Sequence, residues 1–174
     1  MPETFHIKTM GCQMNVYDSD FLAQSLTDLG LRPVSKPEDA DILILNTCVV
    51  RPKPEHKAYS LLGRMSALKR ERPARILGLV GCLAQMGGES LMERFPLLDF
   101  VLGPKELTRI QEIVQAADQK GEKIVATDLA SEDMGRPEPQ CGRLKKHISD
   151  HTIIMQGCNN FCAYCIVPYV RGPE

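Results

Sequence analysis

The chain has 174 residues and a mass of 19.4 kDa, enough for one domain and a remainder. Its hydrophobic (43%) and charged (25%) fractions match the globular average and exclude general disorder. The net charge of −1 excludes nucleic-acid binding by global charge, and 5% aromatics with no Trp exclude an aromatic-rich base-stacking surface.

The start, Met1-Pro2-Glu3-Thr4, has no basic segment leading into an apolar one, so no secretory signal is expected. The longest apolar runs, at 42–45 and 76–79, fall far short of the ~20 residues a membrane helix needs. The expectation is a soluble cytoplasmic protein with no membrane partner.

Residues 4–10 read as a strand, and 15–29 as a helix with Phe21, Leu22, Leu26 and Leu29 on one face and Gly30 as its stop. Residues 40–46 form a nearly continuous apolar run, the pattern of a strand buried on both faces. A helix over 55–70 follows, its stripe made by Ala58, Leu61, Leu62, Met65 and Leu68, with Pro73 ending it. Then come a strand at 75–80, a short helix at 89–95 and a strand at 100–102. A helix over 106–120 places Leu107, Ile110, Ile113, Val114 and Ala117 inward, and a strand at 123–127 closes the run. This alternation predicts an α/β domain with a doubly wound, Rossmann- or flavodoxin-like parallel sheet over residues 1–128. No G-x-G-x-x-G follows a strand and no G-x-x-x-x-G-K-[ST] is present, so no nucleotide is expected in it.

Residues 129–150 are polar and punctuated by Gly135, Pro137, Pro139 and Gly142, and read as a linker. A new strand is expected at 151–156. The remaining stretch to Glu174 is too short to bury a core of its own, so it is either part of a larger unit or folds onto the first domain.

Seven cysteines, an odd number in a chain read as cytoplasmic, argue against a disulfide framework and for thiolate chemistry. Cys12, Cys48 and Cys82 each follow the C-terminal end of an expected strand. Those ends share one edge of a parallel sheet, where doubly wound folds bind ligands. With strands ~4.8 Å apart, three thiolates at successive ends can meet one object several Å across. Gly11 and Gly81 permit tight turns beside them. The plain alternative is three buried small hydrophobes. As ligands they suit an iron–sulfur cluster or zinc; three cysteines on a [4Fe–4S] cluster leave one iron open, whereas structural zinc takes four ligands.

Cys158, Cys162 and Cys165 form Cys-x3-Cys-x2-Cys, a loop able to wrap three corners of a cubane, with Cys141 upstream as a conceivable fourth ligand. The alternatives are a partial zinc knuckle or thiols packed in a turn. His151 reads as an ordinary strand histidine.

The run Cys158-Asn159-Asn160-Phe161-Cys162-Ala163-Tyr164-Cys165 resembles the CxxxCxxC motif of the radical S-adenosylmethionine enzymes, with the usual aromatic before the last cysteine. Its continuation, Ile166-Val167-Pro168-Tyr169-Val170-Arg171-Gly172, is similar to the methylthiotransferase subgroup. So are Lys8-Thr9-Met10-Gly11-Cys12-Gln13-Met14-Asn15 with Asp18-Ser19, Leu45-Asn46-Thr47-Cys48-Val49-Val50-Arg51, and Gly81-Cys82-Leu83-Ala84-Gln85. Gln13-Met14-Asn15 and Arg51 resemble the tRNA-modifying branch called MiaB more than the branch acting on ribosomal protein S12.

The resemblance implies that Cys158, Cys162 and Cys165 hold a [4Fe–4S] cluster that binds S-adenosylmethionine and cleaves it to a 5′-deoxyadenosyl radical. It implies that Cys12, Cys48 and Cys82 hold an auxiliary [4Fe–4S] cluster that delivers sulfur. The product would be a 2-methylthio group on the isopentenyl-adenosine next to the anticodon of a tRNA substrate. A sulfur donor and a reductant protein such as a flavodoxin or ferredoxin are implied as partners. Family members run to well over twice this length, with a partial barrel and an RNA-binding domain. Residues 151–174 would then be the first strand and cluster loop of a truncated radical S-adenosylmethionine barrel, and this chain alone is expected not to turn over. Cys141 is left unassigned. Pro52 and Pro54 depart from the family's helix-friendly residues and are expected to shift a helix start.

Residues 51–75 carry eight basic side chains against two acidic ones, Glu55 and Glu71. They read either as a surface steering tRNA phosphates or, by preference, as a solvated helix face. Arg143-Leu144-Lys145-Lys146-His147 is equally ambiguous. Two other readings stay open: a standalone iron–sulfur or electron-carrier module, and a flavodoxin-like small-molecule binder with incidental cysteines.

Overall fold

Two strands set the architecture. Every residue of β3 (Ile42–Thr47) and of β4 (Ile76–Gly81) is buried, so each must be covered on both faces. The computed structural model describes residues 1–49, 52–129 and 153–174, without the side chains of 52–55. Around the two central strands lie β1 (Thr4–Met10), β2 (Arg32–Pro33), β5 (Phe100–Leu102) and β6 (Ile124–Ala126). All pairings are parallel, in the order β2-β1-β3-β4-β5-β6. This is the flavodoxin-like order extended by one strand, as the doubly wound expectation required.

The period of two along each strand divides the core. Ile42, Ile44, Ile76, Val80, Phe100 and Leu102 face one side, under α1 (Gln13–Asp28) and α4 (Ile110–Lys120). Leu43, Leu45, Leu77, Leu79 and Val101 face the other, under α2 (Pro52–Glu71) and α3 (Cys82–Arg94). Gly78 belongs to the first face for a steric reason. A Cβ there would lie 2.0 Å from Cζ of Phe100, whose ring fills the space. Leu107, Ile110, Ile113, Val114 and Ala117, the inward set expected of a helix over 106–120, are all buried, but α4 itself begins at Ile110 and Leu107 lies on a 3-10 turn (Pro104–Arg109) before it.

The structure corrects several boundaries. α1 opens at Gln13 rather than 15, because Cys12 with Asn15 forms its capping box. α2 starts at Pro52, three residues before the expected 55. Proline is tolerated in a first helical turn, whose N–H groups have no partner in the helix. The helix expected at 89–95 is the second half of α3, which begins at Cys82 and kinks at Gly88 (φ 45°, ψ −127°). The two-residue edge strand β2 carries no periodicity and was not expected. Of the strand expected at 151–156, residues 153–156 form none. The linker, Cys141, His151, Arg51 and the 143–147 cluster lie outside the described residues. Among the described residues no helix is long and apolar enough to cross a membrane.

Three basic side chains near the end of the 51–75 stretch have structural partners. Arg75 is buried and donates to the carbonyls of Ala40, Leu68 and Glu38. Lys69 pairs with Asp99, whose carboxylate also accepts from the Leu77 N–H, and Arg72 pairs with Asp41. These side chains fasten the end of α2 to the N-terminal edge of the sheet. Lys57, Arg64 and Arg70 remain exposed.

Asp41 gathers the start of β1. It accepts from the N–H of Glu3 (2.9 Å), and from the N–H (3.1 Å) and hydroxyl (2.9 Å) of Thr4. Burial pushes its carboxyl up, but those donors together with Arg72 outweigh burial and hold it below its ordinary value of 3.8. Stabilisation from a carboxylate so depressed is complete above its unfolded pKa and is lost as pH falls through the folded one. Asp41→Asn is therefore expected to cost about 1.5–3 kcal/mol at pH 7 by urea titration. The difference from wild type should begin to narrow as pH falls below about 4 and go on narrowing through the lowered folded value; a gap as wide at pH 2.5 as at pH 7 would contradict this assignment.

Candidate metal centres

Met10, Thr47 and Gly81 are register partners across β1, β3 and β4 and end their strands in one row. Cys12, Cys48 and Cys82 therefore leave a single sheet edge. The order reverses between β1 and β3, since β1 leads outward to β2 and β3 starts the other half. That reversal is where flavodoxin-like folds open their ligand crevice.

A buried polar lock fixes the crevice. Asn15 and Asn46 are both fully buried. The Asn15 amide donates to Asn46 Oδ1 (2.9 Å) and to the Thr47 carbonyl (3.2 Å). The Asn46 amide donates back to the Asn15 carbonyl (2.9 Å) and to Ser19 Oγ (2.9 Å). Thr9 donates to the same Ser19 hydroxyl at 2.7 Å. The first turn of α1 is thereby pinned to the ends of β1 and β3. Gly11 (φ 152°) and Gly81 (φ 93°) admit this closeness. A Cβ at Gly11 would lie 2.7 Å from that of Cys48, and one at Gly81 would lie 2.5 Å from both Asn46 Oδ1 and the Thr47 carbonyl.

The three thiols differ. Cys48 and Cys82 are buried and share a hydrogen bond, which with burial pushes the Cys82 thiol above its ordinary range; Arg171 pulls it the other way. Cys12 is exposed at the N-cap of α1, its thiol 3.3 Å from Asn15 Oδ1. Cys82 opens α3 and Cys12 caps α1, so two of the three thiols sit at helix N-termini. The strand row brings Cys48 and Cys82 together, while Cys12 stays on its own helix.

The second motif is a clasped loop. Cys158 N–H donates to the Gly172 carbonyl (3.1 Å) and Glu174 N–H to Asn159 Oδ1 (3.2 Å). Any Cβ at Gly157 would come within 2.2 Å of the Gly172 and Pro173 carbonyls, so this neck closes only on glycine. Inside it, Phe161 takes a left-handed φ of 40°, a conformation uncommon for a non-glycine residue, immediately before Cys162. Cys165 N–H donates to the Cys162 carbonyl (2.9 Å), and the Asn160 amide lies 3.5 Å from Cys158 Sγ. Cys162 is exposed, and Cys158 and Cys165 are half-buried.

None of the six cysteines among the described residues is in a disulfide. Among those residues no three Cys, His, Asp or Glu side chains converge on one point, as the ligands of a single ion must.

One participant was not legible in the sequence. The short helix α5 (Val167–Arg171) packs on α3 and buries Arg171. Its Nη2 donates to Asp18 Oδ2 at 2.8 Å, with the two side chains 5% and 0% exposed. Asp18 and Arg171 were each quoted within motifs, but nothing in the spacing pairs residues 153 positions apart.

Removing the Asn15 amide strands Asn46 Oδ1 and the Thr47 carbonyl. Asn15→Ala is expected to lose about 1–3 kcal/mol of stability in urea. Asn15→Ala and Asn46→Ala should also be non-additive by more than about 0.5 kcal/mol in the double variant, and strict additivity would contradict the lock.

Comparison with known proteins gives these motifs a context. The model of a family described as Uncharacterized protein family UPF0004 matches residues 4–103, more than half of the chain. A tRNA-2-methylthio-N(6)-dimethylallyladenosine synthase of Desulfosudis oleivorans is 44% identical over 98% of this chain and 36% of its own length. Synthases of the same name from Geobacter metallireducens and Ruegeria sp. are 46% and 43% identical over 97% and 99% of the chain. The chain spans between a third and two fifths of these relatives' length, and matches their N-terminal portion. The match to the family model settles membership: this chain belongs to the UPF0004 family.

Proposed function

We propose that this chain is the N-terminal part of a cytoplasmic tRNA methylthiotransferase that adds a 2-methylthio group to N6-isopentenyladenosine next to the anticodon. The observation that carries the proposal is the row Met10–Thr47–Gly81, which ends three strands at one sheet edge just before Cys12, Cys48 and Cys82, in a chain similar in sequence to such synthases. In this reading residues 1–128 are the auxiliary-cluster domain, 129–150 a linker, and 151–174 the opening of a radical S-adenosylmethionine barrel.

The donor set fits the implied groups. Cys12, Cys48 and Cys82 offer three soft thiolates beside glycines where any Cβ would intrude. Cys158, Cys162 and Cys165 offer three more on a loop closed at its neck, leaving one iron of a [4Fe–4S] cluster for S-adenosylmethionine. When bound, the clusters and S-adenosylmethionine supply the one-electron, sulfur and methyl chemistry that an adenine C–H needs, since such a bond resists polar chemistry at neutral pH.

The chain's own residues do the positioning. The Asn15–Asn46 lock sets the spacing of the first three thiols, and burial of Cys48 and Cys82 keeps water from two of them. The Asn160 amide and the clasp between Gly157 and Gly172 hold the second loop. Beside the end of β1, a groove lined by Lys8, His56, Lys57 and Arg64 offers a basic approach for tRNA phosphates. A sulfur donor and a flavodoxin- or ferredoxin-type reductant complete the set of partners.

The test joins this chain to the remaining sequence of the Desulfosudis oleivorans relative, in cells whose tRNA carries isopentenyladenosine without the methylthio group. Mass spectrometry of tRNA nucleosides is expected to show the 2-methylthio product, and Cys48→Ala or Cys162→Ala to reduce it below one hundredth. A chimera that accumulates folded, with clusters, and leaves the adenosine unchanged would overturn the proposal.

A further inference from the structure

Arg171 does more than close a fold. It is 95% buried, reaches 153 positions back to Asp18, and belongs to the segment that leaves the second cysteine loop. Only one of its terminal nitrogens is used by Asp18. The other, Nη1, is buried with no hydrogen-bond partner among the described residues. A buried guanidinium nitrogen without an acceptor is costly, and native structures rarely leave one unexplained. Cys82 opens α3, the helix on which α5 packs, and its thiol meets the Arg171 guanidinium through a side-chain hydrogen bond as well as through charge, although Nη1 itself stays without a partner. The anchor itself is firm, since Asp18 stands one turn after Asn15 on the helix that the asparagine lock pins.

We propose that Arg171 is a positioning residue of the Cys12–Cys48–Cys82 site: held by Asp18, it presents the buried Nη1 donor to the sulfur-rich anion bound at Cys82, tying the 158–165 loop to that site. This rests on the reading of those three cysteines as cluster ligands. Three thiolates and a cluster carry net negative charge, with Cys48 and Cys82 buried, and Arg171 is a buried cation beside Cys82 able to offset it. Hydrogen bonds to cluster sulfurs and local net charge both set reduction potential. Loss of a donor cation should make the cluster harder to reduce. The same contact gives the two motifs a fixed separation, because any displacement of the loop would drag a buried charge out of its pair.

The experiment uses the full chain with Cys158→Ala, Cys162→Ala and Cys165→Ala, so that only the first site can load. After anaerobic reconstitution, iron and sulfide are counted and the potential is taken from a titration followed by electron paramagnetic resonance. Arg171→Met leaves the buried Asp18 carboxylate without this ion pair and risks misfolding, so Asp18→Asn/Arg171→Met, which removes both charges, is measured beside it. Arg171→Lys keeps the charge with a different donor geometry.

The expected result is about four irons per chain throughout. Arg171→Met and the neutral double variant should show at least a tenfold lower ratio of reduced to oxidised cluster at fixed potential, a shift of about 59 mV or more to the negative. Arg171→Lys should recover most of that shift. Equal loading with coincident potentials in all variants would overturn the proposal while leaving the cluster reading intact. Absence of iron from the parent would overturn the cluster reading, and the proposal with it.

Discussion

Asn15 and Asn46 are the constraint on which the rest depends. Each is fully buried, and each satisfies the other. A polar pair in such a place is expensive unless every group finds a partner, so it tolerates little displacement. Its geometry joins the first turn of α1 to the ends of β1 and β3. Gly11 and Cys48 are then near neighbours, with Cys12 next along at the cap of α1, and the register of β3 with β4 adds Cys82. The apolar core on both faces of the sheet supplies the stability, but it could be repacked with other aliphatic residues. The lock could not, because it specifies a spacing and not merely a volume.

A second buried polar element works over a longer range. Asp18 lies on the same helix as Asn15, and Arg171 meets it from the far end of the chain. Buried ion pairs contribute little net stability and serve better to specify one arrangement. Here the arrangement specified is the docking of α5 on α3, with Val170 buried beneath it and Gly172 against Lys105. The second cysteine loop is clasped at Gly157 and Gly172, so its neck is fixed to the body that carries the first three cysteines. Two motifs far apart in sequence thus share one polar framework.

Much of this was legible in the amino-acid sequence because the signals were strong and local. The continuous apolar runs of β3 and β4 and the stripe of α4 allowed little else, and six cysteines stood at positions whose chemistry could be named. The misses have physical causes. β2 is an edge strand of two residues held by backbone pairing to β1, with no alternation to betray it. The first half of α3 was obscured by Gly87 and Gly88, one packed under Leu91 and the other a kink. The basic stretch read as a solvated face, yet Lys69, Arg72 and Arg75 are fasteners, because their partners lie in strand-edge loops distant in sequence. Arg171 was invisible for the same reason. A pair formed through folding leaves no periodic trace in either segment.

The proposed function requires two separate three-cysteine sites, one at a sheet edge and one on a clasped loop. The most direct measurement is iron and acid-labile sulfide per chain after anaerobic reconstitution. It should be made on wild type, on Cys12→Ala/Cys48→Ala/Cys82→Ala, and on Cys158→Ala/Cys162→Ala/Cys165→Ala. About eight irons in wild type and about four in each variant is the expected result. Iron near zero with one zinc bound, or a loss of all iron from either variant, would contradict two independent cluster sites.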